Sequence, residues 1–189
     1  KGVWEVIRES LLHVRIFRID PRLGYMHMSL AFGWFLLIAT GFVETVAYMG
    51  WTPVPLRGHV FFKYYSREAV HTEMWQMVFT NVMDALLLFV LSGVALAWTK
   101  RVYSKMLGMR RTTRHVWGDR VALTALWCIF PARLLAESTT SAIWHNGGFL
   151  TGWVGSLLAD AMSPETLVAM ESVVWWVYSF ALGIFFCAL

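Results

Sequence analysis

The sequence predicts an all-α polytopic transmembrane helix bundle, and three observations support this class. Of the 189 residues, 58% are hydrophobic and 15% are charged, whereas a soluble domain has about 45 to 50% and about 25%. Four apolar segments each reach the about 20 residues that a helix needs to cross a bilayer. The basic residues lie in short blocks beside these segments, as topology signals do. We therefore expect lipid, and no nucleic acid, as a partner.

The predicted elements begin with a segment at the membrane surface. Residues 1–23 mix four arginines with leucine, isoleucine and phenylalanine side chains, which is typical of an amphipathic segment on lipid headgroups, and Pro21 ends it. A transmembrane domain then fills residues 24–189. Its predicted spans lie at about 24–48, 77–98, 121–143 and 167–189.

Two of the connections carry recognisable signals. The segment 51–77 contains prolines, charges and aromatic residues and predicts an interfacial loop with one short helix. The segment 145–166 joins the last two spans, with Gly147 and Gly148 breaking one helix and Ser163 and Pro164 starting the next.

The distribution of lysine and arginine predicts the orientation. Residues 1–23 contain five of them, residues 51–77 three, residues 100–120 seven, and residues 145–166 none. By the positive-inside rule, the amino terminus and the 100–120 loop are cytoplasmic. An even number of spans then places both chain ends on the cytoplasmic side.

Among the six histidines, His27 is the one inside a predicted span. It lies about one turn into the first span, with Gly24 and Ala31 on the same helix face. Imidazole is a common axial ligand of haem iron, and the small neighbours leave space for a flat ring. The alternative is a histidine at the helix boundary, hydrogen-bonded to a headgroup or a carbonyl group. Chemistry alone leaves both interpretations open.

Charged side chains inside spans cost a few kcal/mol unless they are paired or hydrated. Glu44, Asp84, Arg133 and Glu137 fall in the predicted outer half of the membrane, and Tyr178 falls at a similar depth. Arg133 and Glu137 are four residues apart and can pair on one helix face, and Asp84 can reach Arg133 from the neighbouring span. One interpretation is a structural ion-pair cluster. The other is a quinone and proton pocket, with Arg133 or Tyr178 as hydrogen-bond donor and Glu137 as proton acceptor.

Three stretches resemble the nitrate reductase gamma subunit family, which includes membrane cytochrome b subunits of heterodisulfide-reductase-like complexes. They are RIFRIDPRLGYMHMSLAFGWFLLIATGFVE, WGDRVALTALWCIFPARLLAES and ESVVWWVYSFALGIFFCAL. The resemblance implies a five-helix cytochrome b bundle in which His27 ligates one haem b near the cytoplasm. It places the family's first helix before Lys1 and the second axial histidine beyond Leu189. Two-haem relatives carry further histidines at the levels of Leu37 and Tyr178, so we expect a single haem.

The resemblance also implies partners and a location. Its members associate with, or are fused to, cysteine-rich iron-sulfur proteins. Cys128 and Cys187 form no CxxC pair, so an iron-sulfur cluster is expected only on a partner or a downstream domain. Arg18 and Arg22 precede His27 and are either haem propionate partners or topology determinants. The expected location is the bacterial or archaeal cytoplasmic (inner) membrane.

The leading hypothesis is therefore a b-type cytochrome membrane subunit or domain that passes electrons between a quinone pool and a cytoplasmic iron-sulfur oxidoreductase. The alternative is a cofactor-free scaffold or assembly subunit of a respiratory or transport complex, in which the buried charges are structural and His27 is incidental. A transporter half is a third possibility, which the absence of spans broken at their centre disfavours.

Overall fold

The computed structural model describes residues 2–48, 74–107 and 117–188, and the regular structure in these ranges is helical. Four helices within them are long and apolar enough to cross a membrane, over Pro21–Val43, Met77–Met106, Trp117–Trp144 and Pro164–Ala188. The predicted class is confirmed: this is an all-α, multi-pass membrane protein. The predicted loop at 51–77 lies outside the described residues as far as residue 73 and stays a prediction.

The helices are numbered in chain order. They are α1 (Gly2–Val6), α2 (Val14–Ile19), α3 (Pro21–Tyr48), α4 (Met74–Met106), α5 (Trp117–Trp144), α6 (Phe149–Ala161) and α7 (Pro164–Ala188), with a π-helical turn at Ile7–Leu11. The predicted spans coincide with α3, α4, α5 and α7 to within four residues at each end, with one exception. Helix α4 continues eight residues beyond the predicted end at 98, to Met106, so the first part of the predicted 100–120 loop is helical. Contacts divide the chain into two compact units: Lys1–Leu37 with Leu86–Arg114, and Ile38–Ala85 with His115–Leu189.

The segment before the first span is helical but interrupted. His13 lies between the π-helical turn and α2 with a φ of 50°, a left-handed conformation that ends one helical run before the next begins. Apolar side chains of this segment are exposed, among them Val3, Trp4, Val6 and Ile19. Exposed apolar groups beside arginines are what a segment on lipid headgroups needs.

The start of α3 is set by Asp20 and Pro21. The Oδ1 atom of Asp20 accepts hydrogen bonds from the backbone N–H groups of Arg22 at 3.0 Å and Leu23 at 3.1 Å, which caps the helix. Pro21 occupies the first helical position, where a missing N–H group removes no hydrogen bond. The proline that ends the amphipathic segment is therefore also the first residue of the first span.

In the first unit, α3 and α4 approach closely where small residues permit it. The Tyr25 hydroxyl and the Ser92 hydroxyl lie 2.7 Å apart. A Cβ atom at Gly33 would lie 2.6 Å from a methyl group of Val90, and one at Gly93 would overlap the hydroxyl of Ser29. Interfaces between membrane helices use small residues in this way, because van der Waals packing is a main source of their stability.

In the second unit, α5 packs against α7 and α6. The sequence did not predict α6, because its segment was interpreted only as a connection with two helix-breaking glycines. At 13 residues, or about 20 Å, α6 is too short to cross a hydrocarbon core of about 30 Å. A Cβ atom at Gly155 would lie 2.9 Å from the carbonyl oxygen of Ser138, so this glycine allows α6 to lie directly on α5.

Candidate functional site

Helix α5 buries a run of polar side chains that extends around its circumference. Its members are Arg133, Glu137, Ser138, Thr139, Thr140 and Ser141, and all are buried. The Arg133 and Glu137 side chains are 3% and 4% exposed, and both Nε and Nη2 of Arg133 lie 2.6 Å from Oε1 of Glu137. The predicted ion pair is therefore present. In the low dielectric of a helix interface such a pair is far less screened than a surface pair.

Tyr178 of α7 joins this pair, as the sequence predicted. Its side chain is buried, and the Arg133 guanidinium and the Glu137 carboxylate both lie close enough to act on its hydroxyl electrostatically. Three of the four residues of the predicted pocket thus meet between α5 and α7. Together they offer a cation, a hydroxyl and a carboxylate, the groups needed to bind a carbonyl oxygen and accept a proton.

A second polar contact between the same helices was not predicted. Nε1 of Trp175 donates to the hydroxyl oxygen of Thr140 at 2.8 Å, and that hydroxyl donates to Oε1 of Glu171 at 3.4 Å. An indole N–H can only donate a hydrogen bond, so Thr140 is the acceptor in its bond with Trp175. The single hydroxyl proton of Thr140 is then available to donate to Glu171. Glu171 is itself buried, so the α5–α7 interface contains two carboxylates, Glu137 and Glu171.

Asp84 is held at the start of α6. Its Oδ2 atom accepts the backbone N–H groups of Leu150 at 2.8 Å and Thr151 at 2.9 Å, and its Oδ1 atom accepts the Thr151 hydroxyl at 2.9 Å. Asn81, one turn earlier on α4, accepts the N–H of Phe149 at 3.0 Å. Two side chains of α4 therefore cap α6, in addition to the Thr151 hydroxyl, which accepts the backbone N–H of Gly148 at 3.1 Å. The predicted pairing of Asp84 with Arg133 stays a prediction.

His27 lies inside the first span on α3 and is half-buried. The ring of His13 stacks on it, with centroids 5.5 Å apart and planes inclined by 20°. Within the described residues, no hydrogen bond reaches a ring nitrogen of His27. The space beside Gly24 is not open as the sequence suggested, since a Cβ atom there would lie 2.6 Å from Phe17, whose α2 helix packs against it.

The remaining histidines and charged residues of the sequence analysis have few described contacts. Arg18 and Arg22 are exposed, as both a propionate partner and a topology determinant would be. The side chain of Glu44 and the histidines at 59, 71 and 115 lie outside the described residues, and His145 is exposed. In the described parts of the chain, no three histidine, cysteine or acidic side chains cluster as a metal site would require.

The residues that sequence reasoning missed are Thr140, Trp175, Thr151 and Asn81. A signal for Thr140 was present in the run ESTTSA, five polar residues in six inside an otherwise apolar span, because polar groups within a membrane need partners. Trp175 and Trp176 are neighbours in sequence, and the local pattern does not distinguish them. The structure separates the two, since Trp175 is buried and bonded whereas Trp176 is 64% exposed.

Comparisons of the chain with models of known protein families, with curated proteins and with solved structures give no match. The fold and the sites define a class: an all-α, multi-pass membrane protein with a buried ion pair within one of its spans.

Proposed function

We propose that this chain is the membrane subunit or domain of a quinone-linked oxidoreductase, a b-type cytochrome that passes electrons between a quinone pool and a cytoplasmic iron-sulfur partner. The observation that carries the proposal is His27. Its imidazole lies inside a span, and within the described residues neither of its nitrogens takes part in a hydrogen bond. An imidazole nitrogen that is not engaged in a hydrogen bond is available to coordinate haem iron.

The residues around His27 fit a haem in their donor chemistry. An imidazole ligates iron through a nitrogen at the ring edge, and the stacking of His13 covers a ring face and leaves those edges available. Phe17 fills the side of Gly24, so the macrocycle belongs on another side of the ring. Haem would supply one-electron transfer between its ferric and ferrous states. The chain's own part is to hold the imidazole and to offer Arg18 and Arg22 to the propionates.

The proposed quinone and proton pocket is the cluster of Arg133, Glu137 and Tyr178. Arg133 and Tyr178 supply donors for a quinone oxygen, and Glu137 accepts the proton that a quinol hydroxyl loses on oxidation. The two charged side chains are almost completely buried, so a quinone head group reaches them only where α5 and α7 part locally. Glu171, linked to α5 through Thr140, is a second carboxylate in the same interface.

The proposed orientation follows the basic residues. With the amino terminus and the 100–120 loop in the cytoplasm, His27 lies near the cytoplasmic face and the Arg133 cluster lies toward the opposite face. The two basic segments then form the surface on which an acidic iron-sulfur partner docks. We propose the bacterial or archaeal cytoplasmic membrane as the location and a five-helix bundle as the complete unit.

The decisive experiment is an absorption spectrum of the full-length gene product purified in mild detergent. We expect a Soret band and a reduced-minus-oxidised α band that correspond to one haem b. The His27→Ala variant should lose both bands while it still inserts in the membrane. His145→Asn is the matched control, because His145 is exposed and has a φ of 53°, a conformation that asparagine tolerates. A wild-type protein without either band would refute the proposal.

A second experiment addresses the pocket. Glu137→Gln keeps the size of the side chain and removes its proton-accepting charge, so quinol oxidation should slow by about 100-fold, the low end for loss of a general base. The haem spectrum should not change, because His27 lies on another helix. Full quinol turnover in this variant would assign the ion pair a structural role only.

One observation favours the scaffold alternative. The buried polar groups of Arg133, Glu137, Tyr178, Thr140 and Trp175 contact one another across α5 and α7, which is also how a purely structural clamp would be built. A scaffold would show no haem bands, and Glu137→Gln would loosen the clamp itself, because the buried charge of Arg133 would lose its partner. The absorption spectrum therefore separates the two functions.

A further inference from the structure

An open groove runs between α5 and α7 near the first turns of α5. Its volume is about 430 Å³, within the about 300 to 1,000 Å³ of small-molecule pockets. The lining residues are Trp117, Arg120, Val121, Thr124, Ala125, Cys128, Ala181 and Ile184. The proposed haem and quinone sites use none of them.

The groove begins beside the first turn of α5. A Cβ atom at Gly118 of α5 would lie 3.9 Å from the carbonyl oxygen of Ala188, the last residue of α7. Trp117 and Arg120 lie at this end and are exposed, and tryptophan with arginine is the usual pairing at a membrane–water interface. From Arg120 to Cys128 the groove extends eight residues along α5, or about 12 Å toward the membrane interior.

Small side chains form the depression. Ala125 and Cys128 on α5 and Ala181 on α7 are smaller than the Val121 and Ile184 side chains beside them. Cys128 and Ile184 are exposed, so the groove opens on the outer face of the helix pair.

The groove is charged at one end and apolar at the other. Its single charged residue, Arg120, lies at the interfacial end, while the deeper part is lined by alanine, cysteine and isoleucine side chains. Asp119, next to Arg120 in sequence, is exposed and does not line the groove. A ligand that matches this pattern has an anionic head and an apolar tail.

We infer that the groove binds an anionic phospholipid, with the phosphate on Arg120 and one acyl chain along Ala125, Cys128 and Ala181. A basic residue near the surface contributes to binding of an anionic lipid, and the apolar floor contributes through the burial of methylene groups. An apolar helix from another protein fits the groove less well, because its binding would make no use of the cation at the interfacial end.

The test is native mass spectrometry of the full chain, delipidated in detergent and then titrated with phosphatidylglycerol or with phosphatidylcholine of identical acyl chains. Wild-type protein should retain one phosphatidylglycerol at least fivefold more tightly than phosphatidylcholine. Arg120→Gln should lower the affinity for phosphatidylglycerol about fivefold and abolish the preference. Lys105→Gln is the matched control, since Lys105 is an exposed cation near the end of α4 that does not line the groove.

Two filling variants test the position of the tail. Ala181→Phe occupies the floor of the groove, and Thr124→Trp occupies it from an exposed position where folding is not at risk. Both should remove the bound phosphatidylglycerol. Any of three results would overturn the inference. The first is equal binding of the two lipids, and the second is unchanged binding of phosphatidylglycerol in Arg120→Gln and both filling variants. The third is displacement of phosphatidylglycerol by a quinone that binds more tightly.

Discussion

The backbone N–H and the hydroxyl of Thr151 both donate to the carboxylate of Asp84 at 2.9 Å, although the two residues are 67 positions apart in sequence. Asp84 is completely buried. Its carboxylate lies at the amino-terminal end of α6, where the helix dipole is positive, so the dipole stabilises a negative charge at this position. This contact, with the neighbouring bond to Leu150, fixes the start of α6 against α4.

The first prediction concerns this cap. Asp84→Ala removes the acceptor of two backbone N–H groups in an apolar setting, and we expect it to lower the free energy of unfolding by about 3 kcal/mol. Asn81→Ala removes one capping bond, together with a bond to the Met77 carbonyl of its own helix, at an exposed position and should cost about 1 kcal/mol. Denaturant unfolding in detergent measures both. Equal losses in the two variants would show that Asp84 contributes no more than an ordinary surface cap.

The buried ion pair leads to a double-mutant cycle. Arg133→Met or Glu137→Leu alone leaves an uncompensated charge in the α5–α7 interface and should cost about 3 to 5 kcal/mol. The double variant should recover most of that loss, because both charges are gone. The exposed pair of Arg8 and Glu9, 42% and 36% exposed at 3.1 Å, is the control and should show coupling of at most about 1 kcal/mol. Additive losses at 133 and 137 would contradict a direct pair.

A third prediction isolates the contact between Thr140 and Trp175. Thr140→Val keeps the shape of the side chain and removes both hydrogen bonds, so unfolding should become easier by about 1 to 3 kcal/mol. The indole N–H of Trp175 should also exchange with solvent deuterium faster, which nuclear magnetic resonance detects directly. Thr124→Val is the control, because the exposed Thr124 hydroxyl bonds only to the carbonyl group of Arg120 on its own helix. No change in the exchange of Trp175 would exclude the bond.

A fourth prediction concerns the close approach of α3 and α4. A methyl group at Gly93 would overlap the hydroxyl of Ser29, so Gly93→Ala should destabilise the protein by about 1 to 3 kcal/mol. Gly183→Ala, where a Cβ atom meets nothing within 4 Å, should instead stabilise slightly, because alanine is the better helix former. Thermal unfolding of the two variants compares them. A stabilising Gly93→Ala substitution would mean that the helices do not approach this closely.

The sequence predicted the spans because hydropathy over about 20 residues is a property of the segment itself. It also predicted the Arg133–Glu137 pair, since spacing of four residues on a helix fixes a contact before any tertiary structure is known. Tyr178 was placed beside them by depth alone, and the structure confirms that it joins them.

What the sequence did not predict depends on contacts between distant segments. Helix α6 contains glycines that disfavour a helix, and its capping groups come from Asn81 and Asp84 on α4. The partner of Thr140 likewise lies 35 residues away, at Trp175. The space beside Gly24 was misjudged for the same reason, because Phe17 reaches it from a preceding helix. Local patterns cannot specify such partners.

Asp84 is synthesised well before the backbone amides of α6 that it caps. A ribosome that adds about 5 to 20 residues per second reaches Leu150, 66 residues after Asp84, only about 3 to 13 seconds later. During that interval the carboxyl group enters the bilayer without the amides that will later bind it. The nascent α4 must therefore stay close to the translocon, or find other hydrogen-bond donors for Asp84, until α6 emerges.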